Sequence, residues 1–245
     1  MRKWYLAPLA AVAALSLVVA GCGGSSSSSD DTASSPAADL GLKTPGTLLV
    51  GSDIPYAPFE FTDPGSDEAK GFDVDLVNAV AKEMGIAKVE FKTEKFDTIF
   101  TSTAQGRFDM AASSITITDE RKQTVAFSEP YFEANQSVMV RTADAAGITL
   151  AGETITPEAA ATALTGKTIG VQRGTTGAEL GEKVPDAKVQ QFQVIDDAFN
   201  ALVAKRVDVV LNDYAISAYA TVAKPELKVV AKVSPSESYG FAFPK

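Results

Sequence analysis

Phe96-Asp97-Thr98-Ile99-Phe100, followed by Arg107-Phe108-Asp109, comes back 99 residues further on as Ile195-Asp196-Asp197-Ala198-Phe199 and Arg206-Val207-Asp208. Each copy reads as a helix of about three turns, a turn carrying the arginine, and a buried strand. Helix-turn-strand units share a binary pattern, so a chance match is the competing explanation; the paired aspartates and arginines favour two related lobes. The same register sets Ser113 and Ser114, at the end of one strand, against Asn212 and Asp213 at the end of the other. In an open α/β sheet, ligands lie beyond the carboxyl ends of the strands. Two such ends facing each other predict a cleft between the lobes, lined by polar residues from both.

Outward from the repeat, strand-like and helix-like segments alternate from Thr44 onward. Thr47 to Ser52 is a short apolar run. Asp73 is placed to cap a helix whose apolar positions Val74, Val77, Val80, Ala81 and Met84 precede Gly85. Val89 and Phe91 alternate as in a strand. Phe96, Ile99, Phe100 and Thr103 form a helical stripe that Gly106 ends, and Phe108 to Ser113 is expected as a strand. This βαβ alternation predicts a mostly parallel, helix-covered sheet in each lobe. Ala143 to Thr165, rich in Ala, Gly and Thr, lacks a clear period beyond a helix at Pro157 to Leu164, and is expected as a surface excursion of the second lobe.

The chain of 245 residues begins with an export-type segment: Arg2 and Lys3, then a run from Trp4 to Ala20 that is apolar except for Pro8 and Ser16. Without residues 1–21, 224 residues remain with 20 basic and 31 acidic side chains, a net charge of −11. That balance argues against nucleic acid as a partner, because such binding rests on Lys and Arg neutralising phosphates. Histidine is absent and cysteine occurs once, which excludes zinc enzymes, Ser-His-Asp hydrolases and disulfide scaffolds. No metal or cofactor is expected. The single cysteine, Cys22, follows Val19-Ala20-Gly21 and resembles the lipid-bearing residue of a bacterial lipoprotein signal; a buried free cysteine or a transmembrane anchor are the alternatives. Gly23 to Asp39 holds no residue able to seed a core and reads as a flexible tether reaching roughly 20–25 Å.

Ser113-Ser114-Ile115-Thr116-Ile117-Thr118-Asp119-Glu120-Arg121 follows a strand and opens a short helix with Thr118 as its cap. Arg121 then meets the positive end of the helix dipole, a placement costing about 0.3–1 kcal/mol. The placement makes sense if the guanidinium and the hydroxyls of Ser114 and Thr116 converge on an anion such as a carboxylate. The competing account is a solvated Arg balanced by Asp119 and Glu120. Gly170-Val171-Gln172-Arg173-Gly174-Thr175-Thr176-Gly177 is a second strand–loop–helix junction whose amides suit the same anion, although Gly at such turns is often only steric; it lacks the spacing of a phosphate loop. Asp213 sits where it caps the following helix, and its place opposite Arg121 suggests that it also receives a cation. In Asp53-Ile54-Pro55-Tyr56-Ala57-Pro58-Phe59-Glu60 the prolines stiffen a loop. Phe59 is assigned to core, whereas Tyr56 and Phe96 are expected to wall the cleft.

At Tyr56-Ala57-Pro58-Phe59-Glu60-Phe61, Gly71-Phe72-Asp73-Val74-Asp75-Leu76, Ile115 to Arg121 and Phe127-Ser128-Glu129-Pro130-Tyr131, the sequence resembles the extracytoplasmic solute-binding proteins that deliver polar amino acids to ABC importers, from about Thr47 to Lys245. The resemblance implies a two-lobed periplasmic-binding-protein fold of type II-like form, each lobe a mixed, mostly parallel sheet flanked by helices. The expected division is 1–21 signal, 22–43 lipidated cysteine and tether, 44–138 plus 235–245 first lobe and 139–234 second lobe, with crossings near Val138 to Arg141 and Ser234 to Tyr239. Arg121, aided by Ser114 and Thr116, is implied to take a ligand's α-carboxylate, Thr176 to contribute from the second lobe, and Asp213 to take the α-ammonium. Tyr56 and Phe96 are implied to sandwich the side chain and Asp53 to contact its polar head. Ser113, Gln172 and Thr175 complete the candidate set. Relatives continue beyond Phe241-Ala242-Phe243-Pro244-Lys245 with a helical tail on the first lobe, so part of that lobe is expected to be missing. Two further departures are a longer Ala143 to Thr165 segment and Gly177, which supplies no side chain.

The expected function is reversible binding of one free L-amino acid, glutamine or a basic one, with ligand-induced closure of the hinge. The expected partners are the membrane permease subunits of an ABC importer, and the membrane itself through the lipid on Cys22. An extracytoplasmic, lipid-anchored monomer without catalysis follows. The alternatives are a periplasmic dehydratase-like enzyme, for which only carboxylates such as Asp53, Glu60 or Asp213 would serve, and a ligand-sensing module.

Overall fold

Strand β1 (Thr47–Ser52) leads through a small hairpin, β2 (Phe61–Thr62) and β3 (Ala69–Lys70), into α1 (Phe72–Glu83), β4 (Lys88–Thr93), α2 (Phe96–Ala104) and β5 (Met110–Ala111). The computed structural model containing these elements describes residues 40–150 and 152–245. The signal segment at 1–21, Cys22 and the tether through Asp39 lie outside the described residues. β4 and β5 lie parallel to β1 on either side, with Val50 opposite Phe91 and Met110. Val50, Val77, Ala81 and Ile99 are buried between this sheet and its helices.

After α3 (Arg121–Thr124) and β6 (Ala126–Phe127) the chain passes along β7 (Phe132–Arg141) into a second sheet. There follow β8 (Thr154–Ile155), α4 (Pro157–Ala163), β9 (Thr168–Gln172), α5 (Thr176–Glu182), β10 (Lys188–Phe192), α6 (Ile195–Val203), β11 (Val209–Asp213), α7 (Tyr214–Ala223) and β12 (Leu227–Tyr239). β13 (Ala242–Phe243) then returns to the first sheet. The strand orders are β4-β1-β5-β13-β6 and β10-β9-β11-β7-β12-β8. In both, the first strand of a βαβαβ unit sits between the second and third, parallel to each.

The repeat is visible atom by atom. α2 and α6 have nine residues each, at the 99-residue offset. Gly106 and Lys205 follow them in the left-handed region, at φ 68° and 59°. Arg107 N donates to Ser102 O and Arg206 N to Ala201 O. The repeated aspartates do the same work: Asp109 Oδ2 accepts from Leu49 N at 2.7 Å and Asp208 Oδ2 from Thr168 N at 2.8 Å. Each fixes the edge at which a parallel strand enters its sheet.

Several local expectations change. Asp73 does not cap α1; it is the helix's second residue, and its buried carboxylate turns inward to Ser114 N and Tyr131 OH. The strand expected at Phe108 to Ser113 is only Met110–Ala111, because Ser114 at φ 49° turns the chain out of the sheet. The 143–165 segment is more than an excursion: β8 pairs in parallel with β12, and Ile155, Ala160 and Leu164 are buried in the second core. Small Ala and Thr side chains hide that burial from a periodicity count. Gly177 has no side chain because Gln136 Oε1 and Leu211 O would lie 2.9 and 3.0 Å from a Cβ there.

β7 and β12 pair antiparallel from Arg141 and Leu227 to Phe132 and Tyr239, with register shifts before Ala231 and Glu237. The divisions at 138/139 and 234/235 fall inside these two strands. Replacing Asp109 or Asp208 by Ala leaves a part-buried strand N–H, that of Leu49 or Thr168, without its partner. Each substitution is expected to cost about 1–3 kcal/mol in urea unfolding. The double variant is expected to be additive within about 0.5 kcal/mol, the two sites lying in separate sheets.

Candidate functional site

The carboxyl ends of the parallel strands from both sheets converge. From the first come Asp53 and Tyr56 after β1, Phe96 at the start of α2, Ser113, Ser114 and Thr116 after β5, and Arg121 at the start of α3. From the second come Gln172 at the end of β9, Thr175 and Thr176 at the start of α5, and Asp213 at the end of β11. These eleven residues line a single cavity of about 290 Å³. All eleven are the candidates that the sequence singles out.

Arg121 is buried. Its Nη1 donates to Thr116 O at 2.7 Å and its Nη2 to Gly174 O at 3.0 Å, across the two lobes. Its guanidinium lies over Phe96 and Phe100, at 5.3 and 4.7 Å from the ring centroids. Two of its five N–H donors are thus spent on carbonyls, leaving three for an anion. Thr118 Oγ1 accepts from Arg121 N at 3.1 Å, as expected of a cap. Arg121 is not balanced by Asp119 and Glu120 through ion pairs; Asp119 instead pairs with Lys122.

Asp213 begins α7 but its side chain makes no cap bond. Its carboxylate accepts from Tyr56 OH at 2.7 Å and from Gln136 Nε2. Tyr56 OH also reaches Asn212 Oδ1 at 2.9 Å. At another part of the wall, Asp53 accepts from Gln172 Nε2, whose amide also donates to Gln193 O at 3.2 Å. Asp53 N donates to Ser113 Oγ at 2.9 Å. Thr175 Oγ1 donates to Gln172 O and accepts from Ala178 N, capping α5.

Four polar residues behind this wall lie outside the candidate set. Glu60, noted only as one acidic side chain among several, is fully buried against Ser113 and Ser114. Asp73 holds Ser114 N. Gln136 joins Asp213 to Thr176. Glu237, from β12, accepts from Thr116 and Thr176 hydroxyls at 2.8 and 2.9 Å with one oxygen, Oε2. The strand alternation of β7 marks Gln136 as inward-facing; nothing local marks Glu237.

The profile of bacterial extracellular solute-binding proteins, family 3, matches residues 48–176, just over half of the chain. The chain belongs to this family. A Neisseria gonorrhoeae relative named "Probable histidine-binding protein" is 42% identical over 141 residues, 57% of this chain and 47% of the relative, so the match spans about half of that protein's length. Among solved structures, holo ArgBP from T. maritima is similar at 37% identity and a TM-score of 0.71, over 82% of this chain and 83% of that one. An ancestral amino acid-binding protein, described as a precursor of cyclohexadienyl dehydratase, is 36% identical with a TM-score of 0.71, over 82% of each chain. Among the described residues, no helix is long and apolar enough to cross a membrane.

In this solute-binding protein the cavity gathers more acids than bases. Burial raises Asp53 to about 7, against the hydrogen bond from Gln172 and with a smaller push from Asp97. Burial, with the charge of Glu237, raises Asp213 to about 6, and burial raises Asp73 to about 6. Burial also lowers Arg121 from its usual value, against the pull of Glu179 and Glu237. The folded chain therefore holds protons that the unfolded chain releases between about pH 4 and 7, and stability falls as pH rises through that window. The melting temperature is expected to drop by at least about 5 °C from pH 5 to pH 8. Asp213→Asn flattens the profile near pH 6 in thermal melts.

Proposed function

We propose that this chain binds one L-amino acid with a basic side chain, arginine first, between its lobes and hands it unchanged to the permease subunits of an ABC importer. The observation that carries this is the placement of two carboxylates, Asp213 beside Tyr56 and Asp53 beside Gln172, in one cavity with a single buried arginine. A zwitterion can be buried only if both of its charges are paired. Arg121 has three N–H groups for the α-carboxylate, with Ser114, Thr116 and Thr176 around it. Asp213 takes the α-ammonium, Tyr56 and Phe96 flank the side chain, and Asp53 with Ser113, Gln172 and Thr175 receives its cationic head. A glutamine head would offer Asp53 a neutral amide NH2, whereas a guanidinium offers it a cation with paired N–H donors. The arginine-named structure at 37% identity supports the same choice.

Closure about β7 and β12 brings Arg121 and Asp213 to the same ligand, so binding and lobe closure are one equilibrium. The first lobe is then 44–138 plus 235–245 and the second 139–234, with the hinge inside the paired strands. The chain works outside the cytoplasm as a monomer, anchored through a lipid on Cys22. An enzymatic reading also has an observation behind it: Asp53, held near neutrality, suits general acid–base work, and one structural neighbour is described as a precursor of a dehydratase. Recovery of the amino acid unchanged after incubation separates the two.

Calorimetry against arginine, lysine, histidine and glutamine is expected to give arginine the tightest binding. Arg121→Ala is expected to weaken it about 100-fold, as for loss of one partner of a buried charge pair. No binding of any amino acid, or normal binding by the Arg121→Ala protein, overturns the reading. The guanidinium needs an ionised Asp53, so below about pH 7 binding must expel a proton. Arginine affinity is expected to rise roughly tenfold from pH 6 to pH 8. Asp53→Asn weakens binding and cuts that rise to the roughly twofold share that ionisation of Asp213 supplies.

A further inference from the structure

Glu60 is fully buried and stands outside the residues that line the cavity. Its two carboxyl oxygens nevertheless reach two hydroxyls that do line it: Oε1 lies 2.9 Å from Ser113 Oγ and Oε2 lies 3.2 Å from Ser114 Oγ. On the far side Asp73 Oδ2 accepts from Ser114 N at 2.8 Å and from Tyr131 OH at 2.8 Å. Ser114 sits at φ 49°, a strained backbone for a serine, and the bond from its N–H to Asp73 is what holds it there. Among the described residues, no lysine or arginine pairs with Glu60 or Asp73.

The hydroxyl protons can be counted. Ser113 Oγ accepts from Asp53 N and donates to Glu60, so what it offers the cavity is a lone pair beside the Asp53 carboxylate. Full burial without a paired cation, beside the Asp73 carboxylate that shares Ser114, disfavours a second negative charge and pushes Glu60 above the usual carboxylate range, toward its protonated form. A protonated carboxyl has one acceptor oxygen and one O–H. With that proton on Oε2, the 3.2 Å contact runs from Glu60 to Ser114 Oγ, the reverse of its direction toward an ionised carboxylate; Oε1 takes the proton of Ser113, and Ser114 is left to turn its own proton into the cavity.

We propose that Glu60 is a positioning residue that gives two neighbouring serines opposite hydrogen-bond polarity toward the ligand, Ser113 as acceptor at the cationic head and Ser114 as donor at the α-carboxylate. The inference rests on the amino-acid reading above. A ligand with an N–H-rich head at one end and a carboxylate at the other matches both polarities, and one with those groups exchanged meets two wrong ones.

The test is L-arginine calorimetry on the full chain with Glu60→Gln, Glu60→Leu and Ser114→Ala, each checked by thermal melting. Glutamine copies the protonated carboxyl, one acceptor and one donor, so Glu60→Gln is expected to stay within about threefold of the unsubstituted affinity. Glu60→Leu removes both partners and is expected to lose about tenfold. Ser114→Ala is expected to cost about tenfold in the unsubstituted and Glu60→Gln backgrounds, and less than about threefold in Glu60→Leu, since the donor is no longer aimed. A purely structural role for Glu60 would not produce that loss of coupling. A tenfold loss in Glu60→Gln overturns the inference, as does unchanged binding by Glu60→Leu. If Glu60→Leu does not melt cooperatively, Glu60→Gln with and without Ser114→Ala decides on the same thresholds. Absence of arginine binding by the unsubstituted chain overturns instead the amino-acid reading on which the inference stands.

Discussion

Everything in the cavity depends on how β7 and β12 hold each other. The two strands are the passages between the sheets, and they pair from Arg141 and Leu227 to Phe132 and Tyr239. Because they are bonded to one another, the lobes are joined by a two-stranded ribbon and not by two independent threads. The register shift before Glu237 lets the ribbon twist where it leaves the second sheet, and it is there that the Glu237 carboxylate reaches Thr116 of one lobe and Thr176 of the other. A ribbon can bend and twist about its bonded axis far more easily than it can slide, so the closure proposed above would be a bending of this ribbon.

The second constraint is electrostatic. Asp53, Glu60, Asp73 and Asp213 are all buried, and the cation near them, Arg121, is held by carbonyls and aromatic faces. Such an arrangement costs stability through desolvation and like-charge repulsion. A bound cation would offset part of that cost, which ties the strain of the acid cluster to the proposed binding of a basic amino acid.

Local pattern carried much of this. The 99-residue repeat predicted two lobes, and the strand-end positions it defined, together with the family resemblance, named all the residues that line the cavity. What it could not carry were partners set by three-dimensional contact. Asp73 looks like a cap from its place in the chain, but Ser114 N, 41 residues away, takes its carboxylate. Glu237 lies 121 residues from Thr116, and no spacing rule joins them. The shortness of β5 follows from the left-handed turn at Ser114, a conformation that a serine does not announce as a glycine would. Ala160 and Leu164 are fully buried in a stretch whose small side chains blunt any apolar period.

β13 enters the first sheet between β5 and β6, whereas the strands of the second sheet all lie within residues 132–239. As the chain emerges N-terminus first, from the ribosome or from an export channel, the second lobe therefore has all of its described strands while the first still lacks an interior one. Until residues 242–243 are made, β5 and β6 each present an unpaired edge, and the earlier-synthesised lobe is the later to close.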